Sequence, residues 1–144
     1  MSRGFLIDTN VLSELMRTTP ASEVQSWFAR NVSQTMFVCS VTQAEILSGI
    51  ALMPEGKKRS ALAMAAELLF EQDMAGRCLD FGVGAAKNYA LIYARRLRSG
   101  HPISAEDCQI AAIALFHDLS VVTRNTKDFL DIDGLTVVNP WQSH

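Results

Sequence analysis

Short, uninterrupted apolar runs alternating with longer amphipathic stretches predict an α/β fold: three layers, α/β/α, around a mainly parallel central sheet covered on both faces. The runs Phe5-Leu6-Ile7 and Met36-Phe37-Val38-Cys39 are apolar throughout rather than alternating, and Leu119 to Thr123, with Val121-Val122 at its centre, reads as a run of the same kind, as expected of strands buried on both faces. The segments between them are long enough for crossover helices. The 144 residues, 49% hydrophobic and 19% charged, show no internal repeat, linker or low-complexity tract, which predicts one domain over residues 1–144.

The elements follow in order. Phe5 to Ile7 is a strand, stopped by the polar cluster Asp8-Thr9-Asn10, and a helix runs from about Val11 to Arg17. Thr19-Pro20 with Glu23 behind it reads as a second helix start, with Pro favoured at the first helical position and Val24, Trp27 and Phe28 on one face. Met36 to Cys39 is a strand, and Ser40 to Leu52 leads into a helix through Ile46, Leu47 and Ile50. After the break at Pro54-Glu55-Gly56, Lys57 to Met74 reads as one long amphipathic helix. Cys78 to Phe81 is a short strand. Val83, Ala86, Ala90, Tyr93 and Leu97 then mark the stripe of a helix whose last turn carries Arg95, Arg96 and Arg98 before Gly100. Ser104 to Asp118 is a helix, Leu119 to Thr123 a strand, Arg124 to Asp128 a loop or helix start, and Leu135 to Val138 the last strand.

Composition narrows the function. A chain of this length buries roughly 68–70% of its unfolded surface, so it needs neither disulfides nor a structural metal to hold a core. The formal charge of −2 gives no bulk attraction to polyanions, and any nucleic-acid contact must be local. Cys39, Cys78 and Cys108 show no C-x-x-C spacing and read as reduced, packed thiols; His101, His117 and His144 are too scattered for a zinc site. The longest later apolar run, Ile110 to Phe116, is far short of the ~18–20 residues a bilayer requires, so a cytoplasmic protein without membrane contact is expected.

The acids are informative because ligands in open α/β sheets bind beyond the carboxyl ends of the strands, where strand order reverses. Asp8 ends the first strand, Glu45 opens the helix after the second, Asp107 opens the helix after Gly100-His101-Pro102, and Thr123-Arg124-Asn125 ends the Leu119 strand. Thr42-x-x-Glu45 and Ser104-x-x-Asp107 each fit a capping box, which accounts for either acid alone. Asp8 has no helix register that requires it, and reads equally as a loop cap or a ligand. Convergence of the three favours function, since like charges in a cleft repel unless a cation or proton neutralises them. Oxygen-only ligands suit Mg²⁺ or Mn²⁺.

The strings Leu6 to Glu14 (LIDTNVLSE), Ser40 to Ile46 (SVTQAEI), Ile103 to Ala112 (ISAEDCQIAA) and Val122 to Phe129 (VTRNTKDF), with the ending Asn139-Pro140-Trp141, together resemble PIN-domain proteins, and among them the VapC group of toxin ribonucleases. The resemblance covers nearly the whole chain in order and spacing. It implies a Mg²⁺-dependent endoribonuclease acting on structured RNA such as tRNA or ribosomal RNA. It also implies a homodimer, inhibition by a cognate VapB-type antitoxin, and operator DNA binding only through that antitoxin. Carried over, Asp8, Glu45 and Asp107 are the catalytic, metal-binding acids, and Thr9 or Thr123 supplies a hydroxyl near the phosphate. Where some PIN domains have a further acid directly after the Thr-Arg pair, this chain has Asn125, which puts a second metal in question. Asp128 compensates through water or else starts a helix.

Lys57-Lys58-Arg59 and Arg95-Arg96-x-Arg98 are the concentrated basic runs. Each reads as a solvated helix end, where cations near a C-terminus are favoured, or as phosphate contacts beside the cleft. Lys57, Lys58 and Arg95 are RNA-binding candidates on the phosphate reading; Arg124 adjoins the acids and is the better single candidate. Val11, Leu12, Leu15, Met16, Trp27 and Phe28 form core, with any remainder free to line a groove for an antitoxin helix. Two alternatives remain: a haloacid-dehalogenase-like phosphatase, disfavoured because Asn10 stands where that chemistry needs a second Asp, and a non-catalytic metal-binding module.

Overall fold

Five short strands, β1 (Phe5–Ile7), β2 (Met36–Cys39), β3 (Cys78–Leu79), β4 (Ser120–Val122) and β5 (Val137–Val138), form one sheet in the order β3-β2-β1-β4-β5. Every neighbouring pair is parallel, with Phe5, Leu6 and Ile7 beside Ser120, Val121 and Val122. The computed structural model describes residues 3–142, and His144 lies outside them.

The apolar runs are explained by two-sided burial. Leu6, Cys39 and Val121 pack into a core with Ile110, Ala111 and Phe129 on one face of the sheet. Their neighbours Ile7, Val38 and Val122 point the other way, into a second core with Val11, Leu12, Trp27 and Phe70. Successive strand residues alternate sides, so a sheet with a core on each face is built from apolar side chains, the small Ser120 at the start of β4 being the one polar residue in these strands.

On the second face lie α1 (Thr9–Leu15), α2 (Ser22–Arg30), α3 (Ser40–Ala51) and α4 (Lys57–Leu68); on the first, α5 (Val83–Arg98) and α6 (Ala105–Phe116) pack side by side. The architecture agrees with the predicted one, and several local expectations are corrected. α1 begins at Thr9 rather than Val11, because Asp8 caps it by accepting from the Thr9 N–H at 2.8 Å. Asp8 therefore does have a helix register. α2 begins at Ser22, not at Pro20. Its N-terminus has no cap from its own side chains; the nearly buried Glu14 carboxylate accepts instead from the Ala21 N–H at 2.8 Å.

The stretch Lys57 to Met74 is not one α-helix, since α4 ends at Leu68 and a π-helical turn spans Leu69–Asp73. The wider turn offsets the angular drift of the i, i+4, i+8 positions, keeping Ala66, Phe70 and Met74 all buried. Lys57-Lys58-Arg59 thus occupies the first turn of α4, where the helix dipole disfavours cations, and is not a helix C-terminus. The polar run after β4 becomes a 3₁₀ turn, Thr126–Phe129, anchored by the buried Phe129.

Strand order places the reversal between β1 and β4. The chain leaves β1 toward β2 and β3, then returns to add β4 and β5 on the other side. Asp8 and Thr123 follow paired strand ends there, with the Asp8 N–H donating to the Val122 carbonyl at 2.9 Å. A crevice at this reversal is where the fold class binds ligands.

Candidate active site

Asp8 is 4% exposed, and both of its carboxylate oxygens accept hydrogen bonds. Its Oδ2 accepts from Thr123 Oγ1 at 2.7 Å and from Asn10 Nδ2 at 3.1 Å, while Oδ1 takes the Thr9 N–H. Asn10 ties the two strand ends together. Its Nδ2 also donates to Thr123 Oγ1 at 3.2 Å, and its Oδ1 accepts from the Arg124 N–H at 3.0 Å. Burial nevertheless raises the Asp8 carboxyl above its ordinary value, against these hydrogen bonds.

Glu45 stands exposed on α3 and is oriented by Thr9, whose Oγ1 donates to Oε1 at 2.8 Å. Thr9 Oγ1 also lies 3.2 Å from the buried Thr42 hydroxyl. The capping box expected at Thr42 and Glu45 is absent, since α3 starts at Ser40 and Thr42 is already inside it. The box at Ser104 is partly realised: Ser104 caps α6 by accepting from the Asp107 N–H at 3.1 Å.

Asp107 is half-buried, and its carboxyl is pushed up to about 6, first by burial and then by the negative charge of Asp8, with Asp128 and Glu45 adding to it. Asp128 also acts on Asp8. Four carboxylates therefore gather at the sheet's reversal point: Asp8 from the end of β1, Glu45 from α3, Asp107 from α6 and Asp128 from the 3₁₀ turn. Among the described residues, no three of them converge tightly enough to form a ready-made ligand group, and they influence one another as charges. Two ion pairs occur among the described residues, Arg17 with Glu14 and Arg95 with Asp133, and neither reaches the four acids.

The other expected site residues divide. Thr9 and Thr123 are both committed to orienting acids, and Asn125 contributes its backbone, donating to Thr123 Oγ1 at 3.1 Å. Arg124 packs its guanidinium over the Trp141 ring, 4.6 Å from the centroid. Arg95 is taken by Asp133 and sits away from the acids. Lys58, with Arg17, lines a groove of about 780 Å³ that begins at Thr9 and Glu45 and runs between α1, α3 and α4 past Met16, Ile50 and Leu62. Of the early apolar residues, Val11, Leu12 and Trp27 are core, and Met16 faces this groove.

Sequence reasoning missed Asn10 and Thr42. Asn10 carried a readable signal, a side-chain amide two residues after a strand-ending acid, whereas the spacing of Thr42 to Glu45 imitates a helix cap.

The PIN domain family model matches residues 5–135. The chain is 38% identical over 138 residues to "Plasmid stability protein StbB" of Pseudomonas syringae pv. tomato, covering 96% of this chain and 99% of that protein. It is 36% identical over 137 residues to "VapC ribonuclease Y4jK" of Sinorhizobium fredii, covering 95% and 97%. A solved structure of FitAB bound to an IR36 DNA fragment superposes with a TM-score of 0.89 at 36% identity, covering 97% of each chain.

Proposed function

The chain belongs to the PIN domain family, and from that premise we propose that it is the toxin ribonuclease of a VapBC-type toxin–antitoxin pair, hydrolysing phosphodiester bonds in structured RNA such as tRNA or ribosomal RNA with Mg²⁺ as the preferred ion and Mn²⁺ as a substitute. The observation that carries the reading is the gathering of Asp8, Glu45, Asp107 and Asp128 at the sheet's reversal point with no paired cation among the described residues. Like charges so placed are unfavourable unless a proton or an external cation neutralises them, and near neutral pH, above the value of about 6 to which Asp107 is raised, a cation is what can do so. The donors are all oxygen, which fits a hard divalent ion and not zinc.

Asp8 and Asp107 would hold such an ion, with Asp128 assisting through water in place of the acid absent at Asn125. Bound there, such an ion would neutralise the cluster and the charge that builds on a phosphate in the transition state. Glu45 is the acid most open to solvent, and Thr9 fixes one of its oxygens, leaving the other to take a proton from the attacking water. Thr123 and Asn10 hold the Asp8 carboxylate in a single orientation. A phosphatase using Asp8 as nucleophile would need a second acid two residues on, where Asn10 instead donates to Asp8.

Lys58 at the groove, and Arg124 at the strand end after Thr123, supply the phosphate contacts that a chain of net charge −2 needs, while Arg17 at the groove is already paired with Glu14. The apolar part of the same groove suits a helix of a VapB-type antitoxin, through which operator DNA is engaged. Exposed apolar side chains on α3 and α5, among them Leu47, Leu91 and Leu97, suit a second copy of the chain. No helix among the described residues is long and apolar enough to cross a membrane, and the three cysteines are unpaired, in keeping with action in the cytoplasm. Cleavage of defined tRNAs and ribosomal RNA by the purified chain, with Mg²⁺ or with EDTA, tests the assignment: ion-dependent cuts are expected, and intact RNA with Mg²⁺ present refutes it.

A further inference from the structure

Arg96, in the last turn of α5, is 8% exposed, unlike its neighbours Arg95 and Arg98. Its guanidinium meets no carboxylate at ion-pairing distance among the described residues. It is satisfied by backbone carbonyls from two other segments. Nε donates to His101 O at 2.8 Å, and one terminal nitrogen donates to Asp128 O at 3.0 Å and Leu130 O at 3.2 Å. The His101 N–H in turn donates to the Arg96 carbonyl at 3.0 Å.

These contacts bear on two of the segments that carry the acid cluster. His101 opens the loop that leads to Ser104 and Asp107, and Asp128 and Leu130 belong to and close the 3₁₀ turn. That turn is tied onward: the Asp128 N–H donates to Asn125 O at 3.0 Å, Asn125 N–H to Thr123 Oγ1, and Thr123 Oγ1 to Asp8. A planar fork with fixed donor directions can hold two segments at a set separation, which a flexible ammonium cannot. A cation buried against carbonyls alone is otherwise an unfavourable choice for a plain packing position.

We propose that Arg96 is a positioning residue of the active site, clamping the turn that carries Asp128 to the loop that leads to Asp107 and so setting the spacing of two of its acids. The inference rests on the metal-dependent reading above, and acts through Asp128 rather than by contact with substrate.

The test measures Mn²⁺ affinity by the electron paramagnetic resonance of the free ion, with circular dichroism melts in parallel, for wild type, Arg96→Gln, Arg96→Lys, Asp128→Asn and the Arg96→Gln/Asp128→Asn double variant. Arg96→Gln is expected to melt cooperatively and to bind Mn²⁺ about tenfold more weakly. In the Asp128→Asn background it should add less than about twofold, because both changes remove one contribution. Arg96→Lys, which keeps the charge and loses the fork, should resemble Arg96→Gln. If Arg96→Gln does not fold, the same comparison is made with Arg96→Lys alone and in the Asp128→Asn background. Wild-type affinity in Arg96→Gln, in Arg96→Lys or in Asp128→Asn overturns the proposal, as does a full tenfold effect in both backgrounds. A wild-type protein that binds no Mn²⁺ overturns the metal-dependent reading itself and the proposal with it.

Discussion

The Asp107→Asn variant is expected to be more stable than the wild type near neutral pH while losing RNA cleavage. The Asp107 carboxyl sits at about 6 in the fold, against 3.8 for the free side chain. Because the folded value is the higher one, the native state binds more protons over this window, and wild-type stability falls as pH rises from the lower value through the upper. Each unit corresponds to about 1.4 kcal/mol, giving at most about 3 kcal/mol at neutral pH. The group is only half-buried, and solvent screening reduces this to about 1–2 kcal/mol. An acid in the first turn of α6 also gains from the helix dipole, which returns about 0.5 kcal/mol to the wild type. The amide keeps the backbone cap, because it is the residue's N–H that meets Ser104 Oγ. Net stabilisation by Asp107→Asn is therefore about 1 kcal/mol, or roughly 3 °C in melting temperature for a chain of this size. Thermal melts in EDTA at about pH 7.5 and about pH 4 read it directly, and the difference should shrink markedly at the acidic end, vanishing only below the free value of 3.8, where both states are protonated. Adding Mg²⁺ should reverse the order by stabilising only the wild type. A variant no more stable than wild type at about pH 7.5 in EDTA would show that the Asp107 carboxylate is not destabilised by burial and its neighbours' charge, and that the charge argument is wrong.

Four further outcomes follow from the same geometry. Asp8→Asn keeps an N-cap for α1 and removes a buried charge, but turns an amide N–H toward the Asn10 donor; it should still fold and melt cooperatively, at a somewhat lower temperature, yet cut RNA no faster than wild type in EDTA. Glu45→Gln, at an exposed position, should shift stability by less than about 0.5 kcal/mol and lower cleavage by about 10²–10⁴-fold; an equal loss of both would point to a structural role. Proton release on Mg²⁺ binding, measured by calorimetry in two buffers, should grow as pH falls from neutral toward about 6, since Asp107 must then ionise to bind. Lys58→Ala should flatten the salt dependence of RNA affinity by about 0.7–0.9 in the log–log slope, and Arg95→Ala, already paired with Asp133, should leave it unchanged.

The fold was legible because two-sided burial forces continuous apolar strands, and the short runs Phe5 to Ile7 and Met36 to Cys39 are distinguished from the longer apolar helix run Ile110 to Phe116 by their length and by the polar residues that stop them. Asp8 was legible for a related reason, as an acid directly after such a run. What escaped depended on partners distant in sequence. Asn10 gains its role from Thr123 and Arg124, more than a hundred residues away. Arg96 is indistinguishable in sequence from its neighbours at a helix end, and only the arrival of the Asp128 turn buries it. Thr42 was hidden because α3 starts at Ser40, with no side-chain cap to mark the place. The break between Leu68 and Leu69 was invisible because a π turn preserves an amphipathic stripe.

The central claim, that the acids at the sheet's reversal point form a metal-dependent ribonuclease centre, is tested most directly by incubating purified protein and its Asp8→Asn variant with a panel of tRNAs and total RNA in Mg²⁺, Mn²⁺ or EDTA. Discrete cuts by the wild type that need the ion and disappear in Asp8→Asn are predicted. Cutting by Asp8→Asn at the wild-type rate, or no cutting by a folded wild type with Mg²⁺ bound, would contradict the account.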